Sequence, residues 1–266
     1  MRPFLKWAGG KRWLLQSAKE LLPVLDDNQI YLEPFLGGGS MFFHLEPKNA
    51  IISDVNKDLI NSYQVMKDDW RSLYDMLWSY HNKHSNDFYY KMRSSKPRLA
   101  VTRAARFIYL NRTCWNGLYR VNAMGQFNVP IGTKSSVLFD YDDFEAISKM
   151  LQNIKIEDWD FEKTIIKANK GDFLFVDPPY TVKHNFNGFI KYNEDIFSWN
   201  DQIRLRNCLL KAIQRGVKVL ITNAAHHSIE ELYGPCGKMQ NISRHSVIAG
   251  NSNARGLFNE VIIKSW

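Results

Sequence analysis

Three consecutive glycines stand between two short apolar runs, and no other feature of the sequence constrains the fold as tightly. The first run, Gln29-Ile30-Tyr31-Leu32, ends in Glu33-Pro34, and the second, Ala50-Ile51-Ile52-Ser53, ends in Asp54. Both have strand length and β-prone composition. Between them, Gly37-Gly38-Gly39 is followed by Ser40-Met41-Phe42-Phe43-His44-Leu45, a helix-compatible stretch. Strand, glycine turn, helix and strand make a βαβ unit, the building block of parallel sheets. Glycines let the backbone bend sharply and approach a ligand at the carboxyl end of a strand, where open α/β sheets bind their ligands. Asp54 ends the next strand, at the separation where a carboxylate accepts hydrogen bonds from both ribose hydroxyls of a nucleoside cofactor. A tight structural turn with Asp54 as a surface cap accounts for the same residues.

A second series of this kind closes the chain: residues 172–176 read as a strand, 199–215 as a helix, and 217–221 and 260–263 as strands. Residues 55–160 differ, being mostly helical with basic and aromatic residues interleaved. Residues 99–111 show the helix period, with Val101, Ala104, Ala105 and Ile108 on an apolar side and Arg103 and Arg106 projecting from it. The expectation is an α/β chain. Residues 1–56 and 160–266 form a Rossmann-like domain with a mixed, mostly parallel sheet, and residues 57–159 form an inserted helical domain.

Several function classes fit poorly. The dinucleotide fingerprint fails because Phe42 stands where its third glycine belongs, which disfavours a nicotinamide oxidoreductase. Gly9-Gly10-Lys11 is followed by Arg12, and Leu5 replaces the upstream glycine, so the P-loop pattern fails too. Cys114, Cys208 and Cys236 form no CxxC pair, and the adjacent His226-His227 have poor ligand geometry, so no metal is expected. No apolar run reaches membrane-span length, and the first residues lack a signal peptide's apolar block, so a soluble, cytoplasmic protein is expected. A net charge of +8 favours a polyanionic partner, although a solvated basic surface gives the same charge.

The buried-strand run Phe173-Leu174-Phe175-Val176 ends abruptly in Asp177-Pro178-Pro179-Tyr180. A carboxylate is thereby delivered at a strand's carboxyl edge. An exocyclic amino nitrogen on a purine is a poor nucleophile because its lone pair is delocalised into the ring. Two acceptors that hold its hydrogens favour a tetrahedral nitrogen: the Asp177 carboxylate offers one and the Pro178 carbonyl the other. Two prolines stiffen the turn and remove competing backbone donors. Preorganised acceptors of this kind are electrostatic catalysis. Tyr180 offers a face for an extruded base, which chemistry on a base inside a duplex requires. A proline-rich turn with an N-capping aspartate is the structural alternative.

Taken together, Phe4-Leu5-Lys6-Trp7-Ala8-Gly9-Gly10-Lys11, Glu33-Pro34-Phe35-Leu36-Gly37-Gly38-Gly39-Ser40, Ser53-Asp54-Val55-Asn56, the segment from Leu110-Asn111-Arg112 to Gly132, and the Asp177–Tyr180 loop resemble the Dam-type adenine-specific DNA methyltransferases over essentially the whole chain. The order of cofactor loop, target-recognition insert and catalytic loop fits this family's group. The resemblance implies a methyltransferase fold, S-adenosylmethionine as cofactor and double-stranded DNA as substrate. It implies that Trp7, Lys11, Phe35, Gly37, Gly39, Asp54 and Asp177 surround the cofactor, with Asp160 and Phe161 beside its adenine.

For the DNA, the segment Arg112-Thr113-Cys114-Trp115-Asn116-Gly117-Leu118-Tyr119-Arg120 and the turn to Gly132 carry suitable chemistry: arginine pairs with guanine, asparagine contacts bases or phosphates, and a flat side chain wedges into the gap left by a flipped base. By resemblance, Leu118 and Arg120 read bases, Lys6 contacts a guanine, Trp115 is the wedge where family members often carry Tyr, and Arg112, Asn116 and Pro130 join the interface. Arg93, Lys96, Arg98, Arg103 and Arg106 are candidates for phosphate contacts, and the polar segments around Arg244 and Asn251-Ser252-Asn253 for flanking DNA. GATC is the expected site, while a functional partnership with a restriction endonuclease, a solitary role in repair or replication and a phage role are open alternatives. Methylation of another amino group, such as cytosine in DNA or an RNA base, and a non-catalytic DNA-binding role remain open alternatives.

Overall fold

The computed structural model describes residues 1–7, 9–11, 14, 19–122, 124–182, 197–245 and 257–266. In chain order its main elements are β1 (Tyr31–Glu33), α1 (Ser40–Leu45), β2 (Ala50–Ser53), α2 (Lys57–Asp68), α3 (Trp70–Lys83), α4 (Asn86–Ser94), α5 (Ala100–Thr113), α6 (Phe144–Leu151), β3 (Ile154–Glu157), α7 (Phe161–Lys167), β4 (Phe173–Val176), α8 (Trp199–Gln214), β5 (Lys218–Ala224), α9 (His227–Tyr233), β6 (Lys238–His245) and β7 (Leu257–Lys264). They divide into two compact units, one of residues 1–19, 37–48 and 56–158 and one of residues 20–36, 49–55 and 159–266. Among the described residues, no helix is long and apolar enough to cross a membrane.

The second unit is built on a sheet whose strands run in the order β2-β1-β4-β5-β7-β6. The β2, β1, β4 and β5 strands are parallel, while β7 is antiparallel to both β5 and β6. This is the mixed, mostly parallel α/β sheet expected from the sequence. Leu32, Leu174, Val176, Val219 and Ile221 pack in one core with Leu205, Leu209 and Ala212 of α8. Burial of each large apolar side chain is worth roughly 1.5–3 kcal/mol. The α8 helix starts at a capping box, in which Ser198 Oγ accepts from the Asp201 amide and Asp201 Oδ2 from the Ser198 amide.

The first unit is mainly helical. It gathers, besides residues 56–158, the segments 1–19 and 37–48 that the sequence reading placed with the sheet. The reason is packing: the Phe4 ring lies 4.8 Å edge-on to Tyr63 of α2 and 6.2 Å from Phe43 of α1. Asn111 of α5 also exchanges two hydrogen bonds with the backbone of Lys6.

Candidate active site

In the sheet unit, parallel pairing decides where functional groups emerge. Ladder partners Glu33 and Ile52, Leu32 and Leu174, and Val176 and Ile221 bring the carboxyl ends of β2, β1, β4 and β5 into one row. The chain leaves these strands at Asp54, Pro34-Phe35 and Asp177, while Thr222 continues β5 one residue beyond Ile221. The Asp54 side chain is half-buried there.

Asp177 follows four fully buried strand residues. Its Oδ1 accepts a 2.7 Å hydrogen bond from the Thr222 hydroxyl. Pro178 is buried, and the Pro179 carbonyl accepts from Gln202 Nε2 of α8 at 3.2 Å, while Gln202 Oε1 accepts from Tyr233 Oη at 2.6 Å. The loop is thus tied to a helix through a buried amide. The Tyr180 hydroxyl donates to Glu260 Oε2 of β7 at 2.7 Å, and the Tyr31 hydroxyl donates to Glu33 Oε2 at 2.6 Å. Burial, and after it the charges of Asp177 and Glu260, push the Tyr180 phenol far above its usual range. Burial and the Glu33 charge do the same to Tyr31. Both phenols therefore stay neutral donors. The sequence reading gave Tyr180 a stacking face and missed its polar end.

Phe35 stacks on Phe161 at 5.4 Å and meets Phe197 edge-on at 5.5 Å. Asp160 caps α7 and pairs with Arg204 at 2.7 and 2.8 Å, and the Arg204 guanidinium sits 4.1 Å over the Phe161 ring. The hydrogen bond from Arg204 holds the Asp160 carboxyl below its usual range. Phe35, Asp160 and Phe161 thus share one cluster, together with an arginine the sequence reading did not single out.

In the helical unit, Gly37 has φ +49°, and a Cβ there would stand 2.7 Å from Trp7 Cδ1. At Gly38 it would stand 2.9 Å from Trp7 Cβ. The glycines are needed because the indole lies against them. On its other contacts Trp7 stacks on Tyr119, with ring centres 5.5 Å apart and planes 19° from parallel. Gly39 precedes α1 with φ +63°, and the buried Lys11 donates to the Gly9 carbonyl at 2.8 Å. Burial lowers the Lys6 ammonium, and the charges of Lys134 and Arg112 lower it further.

After α5 the chain forms a two-armed loop closed by bridges between Cys114 and Ile131 and between Val121 and Phe127. The Trp115 amide donates to the Pro130 carbonyl, and that of Asn128 to the Arg120 carbonyl. Trp115, Asn116, Arg120 and Pro130 are exposed on this loop, with Trp115 at 45%, and Leu118 is half-buried.

Arg112 requires a correction. It was expected at the DNA, yet it is 1% exposed. Its Nε and Nη2 donate to the Phe4 carbonyl at 3.1 and 2.8 Å, its Nη1 donates to the Val137 carbonyl at 2.8 Å, and its fork pairs with the buried Asp142. The physical reason is its place on α5, on the same face as Ala104 and Ile108. Of the phosphate candidates, Arg103 pairs with Asp58 and Arg106 donates to the carbonyls of Met92 and Arg93. The segment at 246–256 lies outside the described residues.

A family model described as D12 class N6 adenine-specific DNA methyltransferase matches residues 7–247. The chain is 39% identical to the Type II methyltransferase M1.LlaDCHI of Lactococcus lactis subsp. cremoris, covering 100% of this chain and 96% of that protein. It is 40% identical to the Type II methyltransferase M.MjaIII of Methanocaldococcus jannaschii, with 84% of each chain covered. It is also 34% identical to the DNA adenine methylase of Serratia marcescens, covering 84% of this chain and 83% of that one.

Proposed function

The chain belongs to the D12 class of N6 adenine-specific DNA methyltransferases, and from that premise we propose that it moves a methyl group from S-adenosylmethionine to the N6 amine of an adenine flipped out of duplex DNA, within GATC. The observation that carries this reading is the row of strand ends in the sheet unit, where Asp54 and Asp177 leave β2 and β4 on either side of β1. Strand ends of a parallel sheet are where such a cofactor and its reacting partner meet.

The residues fit the cofactor, each within its own unit. In the sheet unit Asp54 offers acceptors for a ribose diol and the Phe35–Phe161 stack an apolar face for an adenine; in the helical unit the buried Gly37 and Gly38 leave room for the Trp7 indole that a Cβ would displace. When bound, S-adenosylmethionine supplies an electrophilic methyl group that departs from sulfur, leaving a neutral thioether. The protein's own groups do the rest. Asp177 accepts one N6 hydrogen and the Pro178 carbonyl the other, drawing the lone pair out of the ring. The proton lost by the methylated nitrogen passes to the Asp177 carboxylate. Tyr180, held by Glu260, presents its ring to the extruded base. Lys6, Trp115, Asn116, Leu118, Arg120 and Pro130 form the proposed reading surface. The names of two relatives as Type II methyltransferases support pairing with a restriction endonuclease.

The test incubates the protein and labelled S-adenosylmethionine with a GATC duplex and with one whose adenine is replaced, and identifies the product nucleoside by mass spectrometry. N6-methyladenine is expected only in the first and is lost in Asp177→Ala. Cofactor binding with methylation of neither duplex overturns the GATC assignment, and full activity in Asp177→Ala overturns the mechanism.

A further inference from the structure

Thr222 lies in β5 with no exposed surface. Its strand neighbours Ile221 and Asn223 point the opposite way, Ile221 into the core with α8 and Asn223 Nδ2 toward Gln202. A buried hydroxyl needs a partner, and in strands a nearby carbonyl often suffices. Here the hydroxyl instead reaches 45 positions back in sequence, to Asp177 Oδ1 at 2.7 Å.

The surroundings give that bond its weight. Asp177 lies within electrostatic reach of Tyr31 from β1 and of Tyr180 on its own loop, whose hydroxyls donate to Glu33 and to Glu260 of β7. Glu33 and Glu260 are each 2% exposed, and each is matched by a tyrosine hydroxyl. A donor aimed at Asp177 favours its ionised form. It also fixes the rotation of the carboxylate about its Cβ–Cγ bond, and with it the direction in which Asp177 accepts.

We propose that Thr222 is a positioning residue of the methyl transfer: its hydroxyl, donated to Asp177 Oδ1, orients the carboxylate as the acceptor for the adenine amine. This rests on the catalytic assignment of Asp177 made above. Thr222 touches neither reactant and acts through Asp177; its other side-chain partner is the Tyr180 hydroxyl. The alternative is a packing role, in which the hydroxyl merely finds a partner.

The experiment compares Thr222→Val, which keeps the shape and removes the donor, with Thr222→Ser, which keeps the donor. Single-turnover methylation of a duplex substrate is followed across pH. Loss of a hydrogen bond to an ionised group predicts a rate roughly tenfold to hundredfold lower in Thr222→Val, with S-adenosylmethionine affinity and KM for DNA little changed. The acid limb of its rate–pH profile moves to higher pH, because the carboxylate has lost a donor to its charged form. Thr222→Ser keeps both rate and profile near those of the parent. Should Thr222→Val not fold, Thr222→Ala carries the same comparison. A parental rate and acid limb in the donor-free variant overturn the proposal, as does an equal loss in Thr222→Ser. Asp177→Ala separates the two failures: if it stays active, the catalytic reading itself is wrong, whereas if it is inactive while Thr222→Val is not, only the role of Thr222 falls.

Discussion

Replacing Arg112 by methionine separates a structural arginine from a DNA-binding one. The side chains of Arg112 and Asp142 are 1% and 4% exposed, so the substitution leaves a carboxylate buried without its cation. It also strips donors from the carbonyls of Phe4 and Val137. Breaking a buried pair from one side costs about 3–5 kcal/mol, a large part of the roughly 5–15 kcal/mol that holds a domain folded. Urea unfolding should show this as a midpoint about 1–2 M lower, for a slope near ~2–3 kcal/mol/M. Removing Asp142 as well, in Arg112→Met with Asp142→Leu, should recover part of the loss, since an apolar pair of similar volume replaces a buried ion pair at little cost. Recovery stays incomplete because the two carbonyls remain without their donors. The salt dependence of DNA binding gives the opposing test. A phosphate contact contributes about 1 to the slope of log K against log salt, and the variant should keep the parental slope. A variant within ~1 kcal/mol of the parent whose slope has dropped by about 1 would refute the structural assignment.

Trp115→Ala is the converse case: the ring is 45% exposed, so stability should change by less than ~0.5 kcal/mol while duplex affinity, read by fluorescence anisotropy, falls clearly. Unchanged affinity would remove Trp115 from the interface. Gly37→Ala places a Cβ 2.7 Å from Trp7 Cδ1 on a backbone with φ +49°, which drives the indole from its stack on Tyr119. Calorimetric S-adenosylmethionine binding should weaken by about tenfold or more, and parental binding would show that the loop has no part in the cofactor site. Arg204→Ala removes a pair whose arginine side chain is 39% exposed, so the loss should stay below ~1 kcal/mol. The Asp160 carboxyl is held down in the folded state. Its contribution is therefore present above the unfolded value of about 3.9 and lost as pH falls through the folded one. Thermal unfolding between about pH 6 and about pH 3 should show a smaller acid loss in Arg204→Ala than in the parent, and equal losses would contradict the pairing.

The elements most legible in the sequence are those whose apolar run and boundary signal coincide. The β4 strand is four buried residues stopped by Asp177-Pro178, and β2 is four residues ended by Asp54. The β3 and β6 strands were not read. In β3, Ile154-Lys155-Ile156-Glu157 alternates over only four residues inside a stretch of helical character. The β6 strand lies at the sheet's edge beside β7 and is largely polar, so its pairing rests on the backbone ladder, which leaves no apolar run to read. The same contrast holds at the site. Asp54 and Asp177 announce themselves at strand ends, but Thr222, Gln202, Glu260 and Arg204 gain their roles from partners far away in sequence. For Thr222 and Glu260 the signal was a polar residue at the tail or the head of an apolar run, as in Leu220-Ile221-Thr222 and Glu260-Val261-Ile262-Ile263, whereas Gln202 and Arg204 stand in a polar stretch that carries none. Arg112 was legible by period: Ala104, Ile108 and Arg112 recur every four residues on one buried face, and the aromatic, basic neighbourhood outweighed that spacing.

The burial of Arg112 also explains how the helical unit places its proposed reading residues. Arg112 takes the Phe4 carbonyl, Asn111 exchanges bonds with Lys6, and Trp7 then lies against Gly37, Gly38 and Tyr119. The two-armed loop with Trp115, Asn116 and Arg120 begins at the very next turn of chain, pinned by the Gly132 amide on the Thr113 carbonyl. One helix end therefore sets the position of Lys6, of the indole beside the glycines and of the loop. An aliphatic residue at 112 could fill the volume at lower desolvation cost, but it could not engage both the Phe4 and Val137 carbonyls. A rigid, planar fork can hold two separate segments at fixed distances from α5, a registry for which a buried arginine is suited despite its desolvation cost.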